Sequence, residues 1–299
     1  MYKIIIDSCG ELFPKMREDG RYINVPLTLE VGGQQIVDDE TFDQLDFIRR
    51  VKASPKGPKS ACPAPGKYLE AIMRPVKQIL SDTADRLNPL KKAETEEEHV
   101  YIVTLSAQLS GSYNSAVAAK RMYEEEHDDK KIYVFDSKSA SIGQTLIGQK
   151  AAECEEAGMG FADVVNAVEK YISEQHTFFV LETLETLRKN GRMSAFKEKI
   201  VNTLRIKPVM GSTDDGNIQK LTQVRGMSKA IAKMADCMIE VTKNCGEKAL
   251  AISHCNCLEN ALKLKAEVEK RAKFKDIFVV DTRGVSTMYA NDGGLIMVV

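Results

Sequence analysis

Four serines, Ser106, Ser110, Ser112 and Ser115, surround a turn at Gly111 in "VTLSAQLSGSYNSAVAAK", residues 103–120. The stretch passes from an apolar, strand-like run into a helical one. The first turn of a helix carries N–H groups without partners inside the helix, and its dipole adds positive character there. In an open α/β sheet such a turn lies at the carboxyl end of a strand, where ligands collect. Two readings follow: Ser110 caps the helix, or it donates outward to an anion, with Gly111 letting a ligand approach the backbone. A second hydroxyl, Ser60, lies in "PKGPKSACPAPG", residues 55–66. Prolines and glycines here predict an irregular loop, and a proline-stiffened loop holds a polar group in place at low entropic cost.

Other chemistry is sparse. The chain has no GxSxG elbow, no GxxxxGK[ST] loop, no HExxH and no GxGxxG. Asp7-Ser8 and Asp136-Ser137 end two strand-like runs and could line a cleft or begin turns. His99 and His127 sit among charges and are expected to be solvated. His176 and His254 border strands and read as structural. Arg192 and Arg225 each neighbour a glycine near an element's end, where either a surface charge or an anion partner fits. "HCNC", His254–Cys257, lacks the two separated ligand pairs usual for zinc, so no metal and no cofactor are expected. Seven cysteines in a chain of 299 residues read as reduced thiols. No nucleophile–base pair can be assembled.

The elements around these residues alternate. "YKIII", "YINVPLTLEV", "VYIVTL" and "KIYVFD" read as strands, with Pro26 interrupting the second. "TFDQLDFIRRVKAS" carries apolar residues at helical spacing, with Thr41 as the expected N-cap, and "KYLEAIMRPVKQIL" is a helix bent near Pro75. The alternation predicts a parallel sheet covered by helices. After Gly160 the pattern changes to a hairpin at Asp215-Gly216 mixed with helical crossovers, which predicts an α+β half. A helix over "TLETLRKNGRMS" should end at Asn190-Gly191. The expected division is 1–160 and 161–299. Residues 82–98 form a charged, solvent-exposed insertion. Hydrophobic residues are 43%, charged residues 28% and the net charge −1, which disfavours nucleic acid as a partner. No apolar run approaches the roughly 18 residues of a membrane span, and a cytoplasmic location is expected.

Taken in order, these segments resemble the bacterial DegV family nearly end to end. The resemblance is carried by "IIIDSCGEL", "VPLTLEVGG", "LSAQLSGSYNSA", "VFDSKSASIG", "LETLRKNGRMS", "RIKPVM" with "DDGNIQ", and "VRGMSKA". "SACPAPG" is similar to the family's Thr-Ser-Gln-Pro-Ser loop, with Ser60 in place of the Thr and Ala61, Cys62 and Ala64 also departing. The resemblance implies an α/β fold of two domains with a lipid tunnel between or beneath them. It implies a carrier, not an enzyme, that binds one long-chain fatty acid such as palmitate, stearate or oleate. Some members serve as the fatty-acid-carrying subunit of fatty acid kinase, with the kinase subunit as partner. The carboxylate-binding hydroxyls fall on Ser60 and Ser110, beside Gly111, and the family's arginines on Arg225 and Arg192. Tyr289 stands where the family has the His of a His-x-Gly-x-Gly segment, and Asn291 at its first Gly. A Tyr there donates a hydrogen bond while staying uncharged. The competing reading is a hydrolase or transferase acting on an acyl or phosphate compound through Asp7, Ser8 or Asp136. A third is a sensor whose charged insertion docks a partner.

Overall fold

The structure is a computed structural model, and it describes residues 1–76, 98–193 and 206–299. The first half runs β1 (Tyr2–Asp7), α1 (Pro14–Asp19), β2 (Tyr22–Val25), β3 (Thr28–Val31), β4 (Gln34–Val37) and α2 (Gln44–Ala53). It continues with β5 (Lys59–Ala61), α3 (Pro65–Met73), β6 (Glu98–Thr104), α4 (Ser112–Glu124), β7 (Lys130–Asp136), α5 (Ile142–Glu156) and α6 (Phe161–Glu174).

Strands β2-β1-β6-β7 form the expected parallel sheet. Both faces are buried, as the near-continuous apolar runs require. Ile4 and Ile6 face α5 and α6 through Ile147, Ala151, Val164 and Val168. Ile5, Val100 and Ile102 face α3 and α4 through Tyr68, Ile72, Ala116 and Ala119. Helix α6 therefore shares the core of the first sheet, although the division at residue 160 assigns it to the second half.

The second half runs β8 (Thr177–Val180), α7 (Glu185–Lys189), β9 (Ile206–Ser212), β10 (Ile218–Arg225), α8 (Met227–Val241) and β11 (Ala249–His254). It ends with α9 (Leu258–Glu269), β12 (Asp276–Asp281), α10 (Gly284–Ala290) and β13 (Leu295–Val298). Its strands form one mixed sheet, β10-β9-β8-β13-β11-β12. Helices α8 and α9 bury Ile231, Met234 and Leu264 on one face of it. Helix α5 meets the other face: Ile142 and Leu146 pack with Ala251 and Val298. A helix pressed from both sides must be apolar or small nearly all round. Gly148 meets that demand, because a Cβ there would lie 2.7 Å from Ile6 Cδ1.

Several local expectations are corrected. The proline-rich segment is not wholly irregular: β5 adds to the edge of β3, with Ser60 opposite Leu29. Pro58 and Pro63 flank the three ladder residues, so the missing N–H groups fall outside the pairing. The N-cap of α2 is Asp43, whose Oδ1 accepts from Asp46 N at 2.8 Å; Thr41 bonds Asp39 instead. Helix α3 does not bend at Pro75 but stops at Met73, because the residue before a proline is driven to extended backbone, and Arg74 is extended (ψ 117°). His99 is not solvated: Nδ1 lies 2.6 Å from Glu155 and the ring packs on Phe161. The hairpin at 213–217 and the turn at Gly191 (φ 74°) are as expected. The charged insertion, apart from Glu98, lies outside the described residues.

Helix α1, strand β4 and helix α10 had no expectation. Strands β3 and β4 form a hairpin across Gly32-Gly33, both at positive φ, a pair that signals such a turn. Helix α10 is capped from a distance: Asp38 Oδ2 accepts from Val285 N and from Ser8 Oγ, each at 2.9 Å. The carboxylate sits so close that a Cβ on Gly284 would fall 1.8 Å from Asp38 Cγ. This cap ties the first half to the helix that carries Tyr289.

Candidate functional site

An apolar cavity lies between the two halves, with about 100 Å3 of volume open to a water-sized sphere. Thr177, Phe179 and Leu181, at alternate positions along β8 and just beyond it, form one wall with Ile218 and Ile296. Leu105, Leu109 and Val285 face them. The walls thus come from turns of the first half and from the sheet and α10 of the second.

Tyr289 and Arg192 belong to the lining. Tyr289, from α10, places its hydroxyl 3.1 Å from Ser60 Oγ on β5. Burial raises the Tyr289 phenol above its ordinary value, opposed by the Ser60 hydrogen bond and by Arg192. Arg192 lies over the Tyr289 ring, 5.9 Å from its centre, and donates from Nε to Leu109 O at 3.1 Å. Its Nη1 donates to Asn190 O at 2.6 Å. Leu109 leads directly into the serine turn.

Ser110 stands one residue before the N-cap of α4, which is Gly111. Its Oγ accepts from Ser112 N and donates to Ser112 Oγ, each at 3.2 Å. The capping role is therefore realised, and one lone pair of Ser110 stays open. A Cβ on Gly111 would lie 3.0 Å from Cys62 Sγ, so the space left by the glycine is taken by that thiol. This contact sets the Ser60–Cys62 strand beside the Ser110–Gly111 turn.

Of the predicted residues, Ser60, Tyr289, Arg192, Ser110 and Gly111 are joined by a chain of contacts, in which Tyr289 and Arg192 line the cavity and Ser60, Ser110 and Gly111 stand behind the lining. Arg225 is not among them. It is exposed at the end of β10, opposite Ile206, and outside the cavity lining. Asp7 is sequestered instead of catalytic in setting: its oxygens accept from Cys9 N, Leu105 N and Gln144 Nε2. Ser8 bonds Asp38, and Asp136 accepts from Ala107 N. Among the described residues no group of three or more His, Cys, Asp or Glu could hold a metal, and all seven cysteines are free.

Asn291 holds the loop after α10 at φ 58°, a backbone setting that favours glycine. Its side chain offsets the strain: Oδ1 accepts from Thr186 Oγ1 at 2.9 Å and Nδ2 donates to Tyr289 O at 2.9 Å. Sequence reasoning did not foresee this brace, nor the wall residues Phe179, Leu181 and Ile218.

The two α/β halves thus meet at an apolar cavity lined from both sides. The sequence profile of the family described as "Uncharacterised protein, DegV family" matches residues 1–298, and the chain belongs to the DegV family. A DegV domain-containing protein of Streptococcus pneumoniae is 30% identical over 298 residues, covering 99% of this chain and 98% of the relative. The crystal structure of a DegV family protein from Ruminococcus gnavus, refined with vaccenic acid, is 47% identical. It superposes with a TM-score of 0.89, covering 100% of this chain and 99% of that one. The Fatty Acid Kinase (Fak) B3 protein of Streptococcus pneumoniae, loaded with linoleic acid, is 29% identical with a TM-score of 0.83. That alignment covers 100% of this chain and 98% of the relative. No helix among the described residues is long and apolar enough to cross a membrane.

Proposed function

We propose that the protein binds one long-chain fatty acid in the cytoplasm, with the tail in the cavity and the carboxylate beside Tyr289 and Arg192. Ser60 and Tyr289, whose mutual bond uses one of their two hydroxyl protons, turn toward the carboxylate, Ser110 joins them by turning its proton away from Ser112 Oγ, and Arg192 supplies the positive charge. The observation that carries this reading is the Ser60–Tyr289–Arg192–Leu109 chain of contacts, three of whose members line an apolar cavity. A tail gains about 0.8 kcal/mol per buried methylene, on the order of 10 kcal/mol for a long chain before ordering and desolvation are subtracted. Tail burial supplies affinity, and the head contacts fix orientation.

The similarity to relatives refined or loaded with fatty acids favours a carrier over a hydrolase or transferase. The relative Fak B3 carries the name of a kinase subunit. By analogy, this protein presents its carboxylate to a separate kinase subunit for acyl-phosphate formation. The uncharged Tyr289 leaves Arg192 as the lasting positive charge beside the head group.

Protein purified from a bacterial host, denatured and extracted, should release a long-chain acid detectable by mass spectrometry. Absence of any acyl species, with no uptake of added oleate, would remove the reading. Replacing Ser60 by Ala and Tyr289 by Phe together deletes two charge-assisted hydrogen bonds, each worth about 1.5–3 kcal/mol. Affinity for oleate should fall at least tenfold in a fluorescence displacement assay, while oleate methyl ester should be little affected by the change.

A further inference from the structure

Three side chains that carry the head-group contacts stand on three different elements. Ser60 is on β5, Arg192 lies just beyond α7, and Tyr289 is on α10. A closed circuit of hydrogen bonds joins these elements, and two carboxamides complete it. Asn190, which follows α7, donates from Nδ2 to Pro58 O at 3.1 Å and to Thr186 O at 3.0 Å. Pro58 is two residues before Ser60. The buried Thr186 donates from Oγ1 to Asn291 Oδ1 at 2.9 Å, and Asn291 Nδ2 donates to Tyr289 O at 2.9 Å. The Tyr289 hydroxyl then meets Ser60 Oγ at 3.1 Å, and the ring is closed. Arg192, two residues beyond Asn190, bonds Asn190 O at 2.6 Å and lies over the Tyr289 ring.

Asn291 holds its place in this ring against a cost. Its backbone stands at φ 58°, ψ 168°, a region that glycine enters freely and other residues seldom. Its N–H donates to Thr287 O and its carbonyl accepts from Gly294 N, bonds that a glycine would make equally well. What asparagine adds over glycine is therefore the carboxamide. Nδ2 also faces Thr183 O at 3.4 Å, so two carbonyls on that side fix which end is the nitrogen. A strained residue persists where its surroundings over-determine it, and such residues gather at binding sites.

We propose that Asn291 is a positioning residue for the head group. Tied between Thr186 and the Tyr289 carbonyl, it fixes the end of α10 so that the Tyr289 hydroxyl keeps its register with Ser60 and Arg192. Asn190 holds the Ser60 strand to α7 from the other side of the ring. The inference rests on the fatty-acid reading above and deepens it. Groups held in one arrangement by the protein's own bonds need not be ordered by the ligand, and affinity gains by that saving. Loss of the Asn291 link therefore weakens recognition of the carboxylate and spares the tail.

The test sets oleate and its methyl ester in competition against a fluorescent acid, on delipidated full-length protein. Asn291→Gly suits the backbone and removes the carboxamide. It should weaken oleate about fivefold, the worth of one net hydrogen bond, and leave the ester within about twofold of native. Tyr289→Phe removes the group through which Asn291 acts. In that background Asn291→Gly should change oleate affinity by less than about twofold, because coupled residues do not add. Thr186→Val breaks the same link from α7; it should give the same pattern, and serves if the glycine variant fails to fold. If native protein binds oleate and the variants bind both ligands as it does, the carboxamide serves only the loop and the inference is overturned. It is equally overturned if the oleate loss persists in full beside Tyr289→Phe, or if the ester weakens as much as oleate. If native protein binds no oleate, the fatty-acid reading itself fails and takes this inference with it.

Discussion

Lys3→Ala should destabilise the protein by about 3–5 kcal/mol, the usual cost of removing one partner from a buried ion pair. Lys3 is fully buried within β1. Its ammonium donates to Ile72 O and Arg74 O, each at 2.6 Å, and pairs with Glu98 at 2.8 Å. The first two acceptors are at the C-terminal end of α3, where carbonyls lack partners and the dipole favours a cation. Lys3 therefore caps the helix that follows the Ser60 strand while neutralising Glu98, whose other oxygen pairs with Lys130 at 2.6 Å. Alanine would leave two carbonyls without their donor and Glu98 with one cation. Urea denaturation should show a lower midpoint with a similar slope. Lys3→Met, which restores volume but not the donor, should recover only part of the loss. A Lys3→Ala variant as stable as the native protein would show that water replaces the ammonium without penalty.

Glu11→Gln should become progressively more stable than the native protein as pH rises. Glu11 is almost fully buried, and its carboxylate is held by Ser141 Oγ at 2.9 and 2.8 Å. Burial pushes its carboxyl up to about 7, against an ordinary 4.5, with the serine hydrogen bonds opposing. The folded state thus holds the proton more tightly than the unfolded chain. The stability this contributes is complete below about pH 4.5 and is lost as pH rises through about 7. Glutamine keeps the shape and cannot ionise. Between pH 5 and pH 8 the difference in unfolding free energy, variant minus native, should increase by about 2–3 kcal/mol. Asp38, raised by burial to about 6, acts in the same direction at lower pH, but it is common to both proteins and cancels. A difference that stays flat across this range would mean that water reaches Glu11.

The order of strands and helices was legible because both halves keep their periods intact. Gly191 and Gly216 marked turns that only a residue tolerant of positive φ accepts easily. The cap of α2 was misread because Thr41 and Asp43 offer the same chemistry two residues apart, and only the bonded distance chooses between them. Helix α10 was missed because "GVSTMYA" is short and rich in weak helix formers, and its cap, Asp38, comes from far away in the chain. At the site, Ser60, Ser110, Arg192 and Tyr289 were legible chiefly through family resemblance. Their types alone allowed capping or surface roles equally well. The cavity wall was not legible at all. Phe179, Leu181 and Ile296 look in sequence like core residues, because apolar periodicity is the same whether a face meets other side chains or an empty space. Arg225 stands apart from these contacts for a related reason: a position in a motif does not say which way a strand end is turned.

Because each half supplies part of the cavity wall, anything filling the space is a keystone shared by both. Mass action then makes the saturated form the sturdier one. On the carrier reading, each tenfold rise in free acid above its dissociation constant adds about 1.4 kcal/mol against unfolding. Melting temperature should climb with the logarithm of free acid, and delipidated protein should be the first to yield to protease. A carrier assembled in this way advertises whether it is laden through its own durability, with no separate sensing domain.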